Sequence, residues 1–192
     1  MGRTVRGPHP GGKGPLLIFR ETELKGAFLI EPEELQDERG SFARIWCERE
    51  LAAQGLNSKL AQCSISFNLK KGTLRGVHYQ VAPHEEAKLV RCTSGAIHDV
   101  IIDLRPESAT FKRYFATVLS ANNRKMLYVP ERFAHGFQTL EDRTEVLYLI
   151  TEFYSPEHAR GVRWDDPAFA IAWPPAERII SYRDQTYPDF CG

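Results

Sequence analysis

Ala96 to Leu104 reads AIHDVIIDL, a stretch dominated by β-branched and other apolar side chains and closed by Arg105-Pro106. Branched side chains are stiff and pack well on a pleated surface, and proline cannot donate to a strand ladder. The stretch therefore predicts a strand that stops at the Arg-Pro pair. Working outward, Phe115 to Ser120 (FATVLS) predicts a second strand, Ala121-Asn122-Asn123 a turn, and Met126 to Val129 a third strand broken by Pro130. Thr144 to Tyr154 (TEVLYLITEFY) predicts another, with Val146, Tyr148, Ile150 and Tyr154 on one face because strand side chains repeat with period two. From Leu60 to Tyr154 the apolar residues fall in short runs punctuated by Gly, Pro, Asn and Asp, which signals many strands and turns. One helix is expected, Glu48 to Gln54, closed by Gly55. An all-β domain of this kind removes its edges as a sandwich, a jelly roll or a closed barrel, and the last two enclose an interior that can hold a ligand.

With 42% hydrophobic residues, the 192-residue chain can bury one sizeable core, so residues 16–192 are read as a single domain. The first fifteen, MGRTVRGPHPGGKGP, carry too little apolar surface to offset chain entropy and are read as a flexible tail in which His9 is an exposed histidine. Lys plus Arg equals Asp plus Glu at 25 each, so no global field recruits nucleic acid or an anionic membrane. No apolar run approaches the roughly 18 residues of a spanning helix. The four cysteines, Cys47, Cys63, Cys92 and Cys191, show no C-x-x-C spacing, and no signal-peptide core opens the chain. These features point to a reduced, cytoplasmic setting.

Chemistry-bearing residues concentrate in three strings. In GTLRGVHYQ (Gly72 to Gln80), period two puts Leu74, Gly76 and His78 on one face and Arg75, Val77 and Tyr79 on the other, and the glycine leaves room for a ligand or another backbone. In AKLVRC (Ala87 to Cys92), Lys88 shares a face with Val90 and Cys92; on an inner wall it would be a fixed charge able to stabilise an oxyanion, and otherwise it faces solvent. In YVPERFAHGFQTL (Tyr128 to Leu140), His135 lies between Phe133 and Phe137, where it is either a core residue or a ligand group. His78, His84, Glu86 and His135 are the candidate metal ligands, but Gln80 stands where a close H-x-H pair would need a histidine, so no metal site is expected. P-loop, Rossmann and G-x-S-x-G patterns are missing.

Taken in order, DERGSF (Asp37 to Phe42), QCSISFN (Gln62 to Asn68), GTLRGVHYQ, AKLVRC, DVIIDLR, YVPERFAHGF, EFYSPE and WDDPAFAIAWP resemble the dTDP-4-dehydrorhamnose 3,5-epimerase family from about Leu16 to Phe190. The resemblance implies a cupin-type jelly-roll barrel with a few short helices, a homodimer, and an epimerase that uses neither metal nor cofactor on a nucleotide-sugar substrate. Carried over by position, it implies His78 as the base, Asp184 as the carboxylate that orients it, Tyr148 as the acid on the opposite side of the sugar, and Lys88 and His135 near the ketone oxygen and the sugar. Arg75, Gln62 and Ser64 would contact the ligand, Tyr154 the nucleotide, Arg183 the ligand beside the aspartate, and Arg39 the nucleotide held by the partner subunit. At about 3.3 Å per strand residue, Tyr154 would lie roughly 20 Å from Tyr148.

Three positions depart from the family pattern: Ser64 for a frequent asparagine, Arg44 for a frequent glutamate, and Arg132 for a frequent glycine. The competing readings are a relative that inverts one carbon only, a metal-dependent cupin oxygenase, and a sugar-binding module without turnover.

Overall fold

The computed structural model describes the backbone of residues 4–6 and, in full, residues 14–191. In chain order the strands are β1 (Thr4–Arg6), β2 (Leu17–Glu21), β3 (Phe28–Pro32), β4 (Glu34–Asp37), β5 (Gly40–Ala43), β6 (Gln62–Asn68), β7 (Thr73–Gln80) and β8 (Lys88–Ser94). They continue with β9 (Ala96–Asp103), β10 (Tyr114–Ser120), β11 (Met126–Val129), β12 (Phe133–Thr139), β13 (Thr144–Ile150), β14 (Ala159–Gly161) and β15 (Ile179–Ile180). Two short helices, α1 (Glu48–Ala53) and α2 (Tyr182–Gln185), complete the described elements.

One sheet runs β1-β2-β3-β11-β8-β13-β6, the other β10-β9-β12-β7-β14 with β15 added parallel to β7. All other pairings are antiparallel, and the two sheets enclose a core of Val90 and Cys92 from β8, Ile97 and Ile101 from β9, Leu119, Leu127, Phe133, Phe137 and Val146. This is the all-β jelly roll implied by the resemblance. The inward positions alternate as a strand demands, and at one end of the barrel they change from apolar to polar: Lys88 ahead of Val90, His135 between Phe133 and Phe137, Tyr148 after Val146.

Each outer face is covered by irregular chain. Leu51 of α1, with Ile45, Trp46 and Leu56, packs on Leu17, Phe19, Ile30, Leu89 and Met126 of the larger sheet. Glu50, fully buried, accepts the Leu17 backbone N–H at 2.7 Å, which ties α1 to β2, and its other oxygen pairs with Arg44 at 2.8 Å. The C-terminal segment lays Val162, Phe169, Trp173 and Phe190 over Val77, Ile102 and Ala134 of the smaller sheet. That burial brings α2, more than a hundred residues away in sequence, against β7.

Several expectations are corrected. α1 ends at Ala53 with Gln54 as its cap, and Gly55 follows with φ +73°, the left-handed conformation a glycine after a helix supplies. β9 ends at Asp103 and β10 begins at Tyr114. β13 stops at Ile150: Thr151 folds its hydroxyl back onto Ala87, and the chain bends away, so Tyr154 is not on the strand and the 20 Å spacing along it does not hold. Thr4–Arg6, inside the stretch read as a tail, pair with β2, whose outer edge offers unpaired backbone groups; residues 1–3 and 7–13, including His9, lie outside the described residues. Arg132 takes φ +65°, the conformation a glycine adopts freely, and its guanidinium is held by Glu107.

Candidate active site

A cavity of about 680 Å³ opens at the polar end of the barrel, within the range of small-ligand sites. His78, Arg75 and His135 line it from the smaller sheet, and Gln62, Ser64, Lys88 and Tyr148 from the larger. Tyr154, Arg183 and Asp184 complete it from the connecting segments. Ten of the eleven expected site residues meet in one space. Arg39 does not: it sits at the tip of the β4-β5 hairpin, 85% exposed at its side chain, with its guanidinium on Asp37.

The local cause of the His78 placement is a slipped register. His135 faces His78 and Phe137 faces Arg75, so three steps along β7 match two along β12. The extra residue reverses the alternation, and Arg75 and His78, expected on opposite faces, both reach the cavity. Gly76 makes the slip possible. Its φ is +120°, and a Cβ there would lie 2.6 Å from the Gly136 Cα, so the room left by the glycine is filled by the backbone of β12. Arg75 is then fixed by Asn68, whose Oδ1 accepts from its Nε at 2.7 Å.

His78 Nε2 lies 2.7 Å from Asp184 Oδ1. A carboxylate can only accept, so Nε2 carries the proton and Nδ1 keeps the free lone pair. Asp184 is delivered by α2, where Ser181 caps the helix by accepting the Asp184 N–H at 3.1 Å, and its Oδ2 also accepts from the Gly76 N–H at 3.3 Å. Burial opposes ionisation of Asp184, but the bond from His78 and the other donors outweigh it and hold its pKa below the ordinary carboxylate value. The pair is uneven: the imidazole side chain is 41% exposed toward the cavity, the carboxylate 7%.

A second imidazole–carboxylate pair lies deeper. His135 Nε2 is 2.8 Å from Asp99 Oδ1, both groups are buried, and Asp99 Oδ2 has no partner among the described residues. Sequence reasoning misses Asp99, although AIHDVIIDL carries the signal for it: period two puts this carboxylate on the apolar inward face between Ile97 and Ile101. The Tyr148 ring meets His135 edge-on at 6.0 Å. Burial, reinforced by the Asp99 charge and opposed by Arg75, pushes the Tyr148 pKa well above its usual value, so the phenol stays protonated and able to donate.

Lys88, for which the sequence leaves two orientations open, faces inward and pairs with Glu86 at 2.8 Å, each side chain 11% exposed. At the mouth, the Tyr154 N–H donates to Gln62 Oε1 at 2.8 Å, and the Arg183 guanidinium beside the Tyr154 hydroxyl has its pKa raised by that contact first. Gln80 ties two loops together, its amide donating to the carbonyls of His84 and Phe153 and accepting the Ser155 N–H. Three of the four candidate metal ligands are engaged elsewhere, His78 with Asp184, His135 with Asp99 and Glu86 with Lys88, and the fourth, His84, lies tilted against His158 at 4.6 Å. Among the described residues no three His, Cys, Asp or Glu side chains group to hold a metal.

Chemically, the cavity offers a base backed by a carboxylate on one sheet, and a protonated phenol with a neighbouring cation on the other. A proton beside a carbonyl can be removed on one face, the enolate oxygen stabilised, and a proton returned on the other face.

The family model described as dTDP-4-dehydrorhamnose 3,5-epimerase matches residues 21–191. A dTDP-4-dehydrorhamnose 3,5-epimerase from Sinorhizobium fredii is 38% identical over 176 residues, 91% of this chain and 90% of the relative. The crystal structure of the Bacillus anthracis enzyme of that name, with TDP and PPi bound, superimposes with a TM-score of 0.87 at 40% identity, covering 91% of this chain and 99% of that one. A 3'-monoepimerase from Streptomyces bikiniensis in complex with dTDP-quinovose is more distant, with a TM-score of 0.82 at 29% identity over 88% of this chain and 85% of that one.

Proposed function

The chain belongs to the dTDP-4-dehydrorhamnose 3,5-epimerase family, and on that premise we propose that it is an isomerase inverting C3 and C5 of a dTDP-linked 4-keto-6-deoxyhexose through the residues of the barrel cavity. Both carbons flank the C4 ketone, so one oxyanion site serves both inversions. His78 Nδ1 takes the proton as the C–H bond breaks, and the electron pair moves to the ketone oxygen. Lys88 stabilises the enolate, and His135 lies beside the sugar. Asp184 holds the imidazole tautomer and stabilises the imidazolium that forms, the logic of a hydrolase triad without its nucleophile. Tyr148 donates a proton to the opposite face of the same carbon, and exchange with solvent restores both groups. The observation that carries the reading is the pairing of His78 with Asp184 on one sheet and the protonated Tyr148 on the other, facing one cavity.

Other features support the wider assignments. Arg75, Arg183, Gln62, Ser64 and Tyr154 line the outer cavity and suit the diphosphate and nucleoside. A homodimer is favoured by the β4-β5 hairpin, which among the described residues pairs only with itself and exposes Phe42 at 68%, and by edge strand β6, which exposes Ile65 at 66%. Across such an interface Arg39 would reach the partner's nucleotide. Among the described residues no helix is long and apolar enough to cross a membrane, and the four free thiols suit a reducing, cytoplasmic setting.

The test is product stereochemistry. NMR of a dTDP-linked 4-keto-6-deoxyhexose after incubation is expected to show inversion at both carbons, and TDP is expected to compete. Inversion at C3 alone would favour the monoepimerase reading.

A further inference from the structure

We infer that Tyr187, which neither the residue patterns nor the family resemblance singles out, is a positioning residue that fixes the rotation of the His78 imidazole through the edge of its ring. The inference rests on His78 being the base.

Tyr187 follows α2 and Asp184 on the same C-terminal segment. The segment is pinned on both sides of the ring. Thr186 bonds back to the last turn of α2, Arg163 pairs with Asp189 at 2.8 Å, and Asp166 Oδ2 accepts the Phe190 N–H at 2.7 Å. The Tyr187 ring therefore has a defined seat, and that seat is over Gly161, where a Cβ would overlap the ring atoms. Gly161 is the residue paired with His78 across β14 and β7. A bare position next to the base thus admits an aromatic ring.

From that seat the ring meets the imidazole nearly edge-on, with centroids 6.2 Å apart and planes at 69°. The contact supplies what the carboxylate cannot. One hydrogen bond from Nε2 to Asp184 fixes a distance but leaves the ring free to swing about the bond axis, and 41% of the His78 side chain is open to the cavity. A flat wall restricts that swing and keeps water from the shared proton. The ring also carries a polar neighbour: the Arg183 guanidinium lies 5.8 Å over it and also beside Tyr154.

The hydroxyl is not the working group. It is buried, and although Arg183 is near, no hydrogen bond of ordinary geometry closes on it among the described residues. Burial raises its pKa, which keeps the wall neutral.

The experiment compares Tyr187→Ala, Tyr187→Leu and Tyr187→Phe for kcat, KM and thermal unfolding, and follows the solvent exchange of the His78 Nε2 proton by NMR of histidine-labelled protein. Tyr187→Ala is expected to lose about tenfold to a hundredfold in kcat, as a misplaced base does, with KM little changed and the proton in rapid exchange. Tyr187→Leu keeps the apolar volume and controls for unfolding; it is expected to keep the melting temperature but not kcat. Tyr187→Phe is expected to rescue both kcat and slow exchange. Three results would overturn the inference: wild-type kcat in the alanine variant, slow exchange persisting in it, or a phenylalanine variant as impaired as alanine. If the wild-type protein fails to epimerise, the reaction assignment falls, while the exchange data still decide whether Tyr187 holds the imidazole.

Discussion

Replacing Asp184 with asparagine separates the orienting carboxylate from the mere presence of His78. Asp184 uses both oxygens, accepting from His78 Nε2 at 2.7 Å and from the Gly76 N–H at 3.3 Å. An asparagine whose carbonyl keeps the Gly76 bond must turn its NH₂ toward Nε2. Nε2 then has to accept, the proton moves to Nδ1, and the lone pair that takes the substrate proton is lost. A charge-assisted hydrogen bond contributes about 1.5–3 kcal/mol. At about 1.4 kcal/mol per decade, its loss alone slows the step about tenfold to a hundredfold. The wrong tautomer adds to this, and in a hydrolase triad the analogous change costs about 10⁴. Asp184→Asn is therefore expected to lower kcat by at least about a hundredfold, with intact binding of TDP by calorimetry. The assay is kcat and kcat/KM across pH by NMR of the product. A variant within threefold of wild type, with an unchanged pH profile, would refute the reasoning.

Tyr148→Phe removes the proton donor on the far face; inversion is expected to fall by about 10²–10⁴ while His78 still exchanges the substrate proton with solvent on its own face, and full inversion would remove Tyr148 from the role. Arg39→Ala is expected to raise KM severalfold with kcat nearly unchanged, the signature of uniform binding, with a dimer seen in sedimentation; a monomer with unaltered KM would contradict the hairpin assignment. Asp103 is a stability prediction: burial opposes its ionisation, but donors from Arg105, Ser108 and Thr110 win and bring its pKa to about 2. Because the unfolded value is about 3.9, the unfolded chain takes up the proton first as pH falls, so this contribution is complete above about pH 4 and lost toward pH 2. Asp103→Asn is expected to cost on the order of 2 kcal/mol near pH 7, with the gap to wild type closing toward pH 2; an offset independent of pH would contradict it.

Period two carried most of the fold and much of the site. It located β9, β10 and β11 to within a residue, put Lys88 with Val90 and Cys92 and His135 with Phe133 and Phe137, and extends to Asp99 once the inward face of AIHDVIIDL is searched for polar residues. It failed where the backbone departs from regular pairing. The slip at Gly76 brings Arg75 and His78 to one side, and the bend after Ile150 carries Tyr154 to the cavity mouth; both are set by contacts with other strands rather than by local sequence. The His78–Asp184 pair spans 106 positions and owes its closeness to apolar packing of the C-terminal segment, which no local pattern encodes. Family resemblance supplied that link. It had nothing to offer on Tyr187, whose seat depends on a glycine in β14.

The imidazole of His78 is the group assigned to breaking the C–H bonds beside the ketone, and isotope exchange reads that step directly. The reaction is run in D₂O and label at C3 and C5 is followed by NMR, for wild type and for His78→Ala. Deuterium at both carbons of the wild-type product and none above background with the variant is the expected result; exchange at wild-type rate without the imidazole would contradict it.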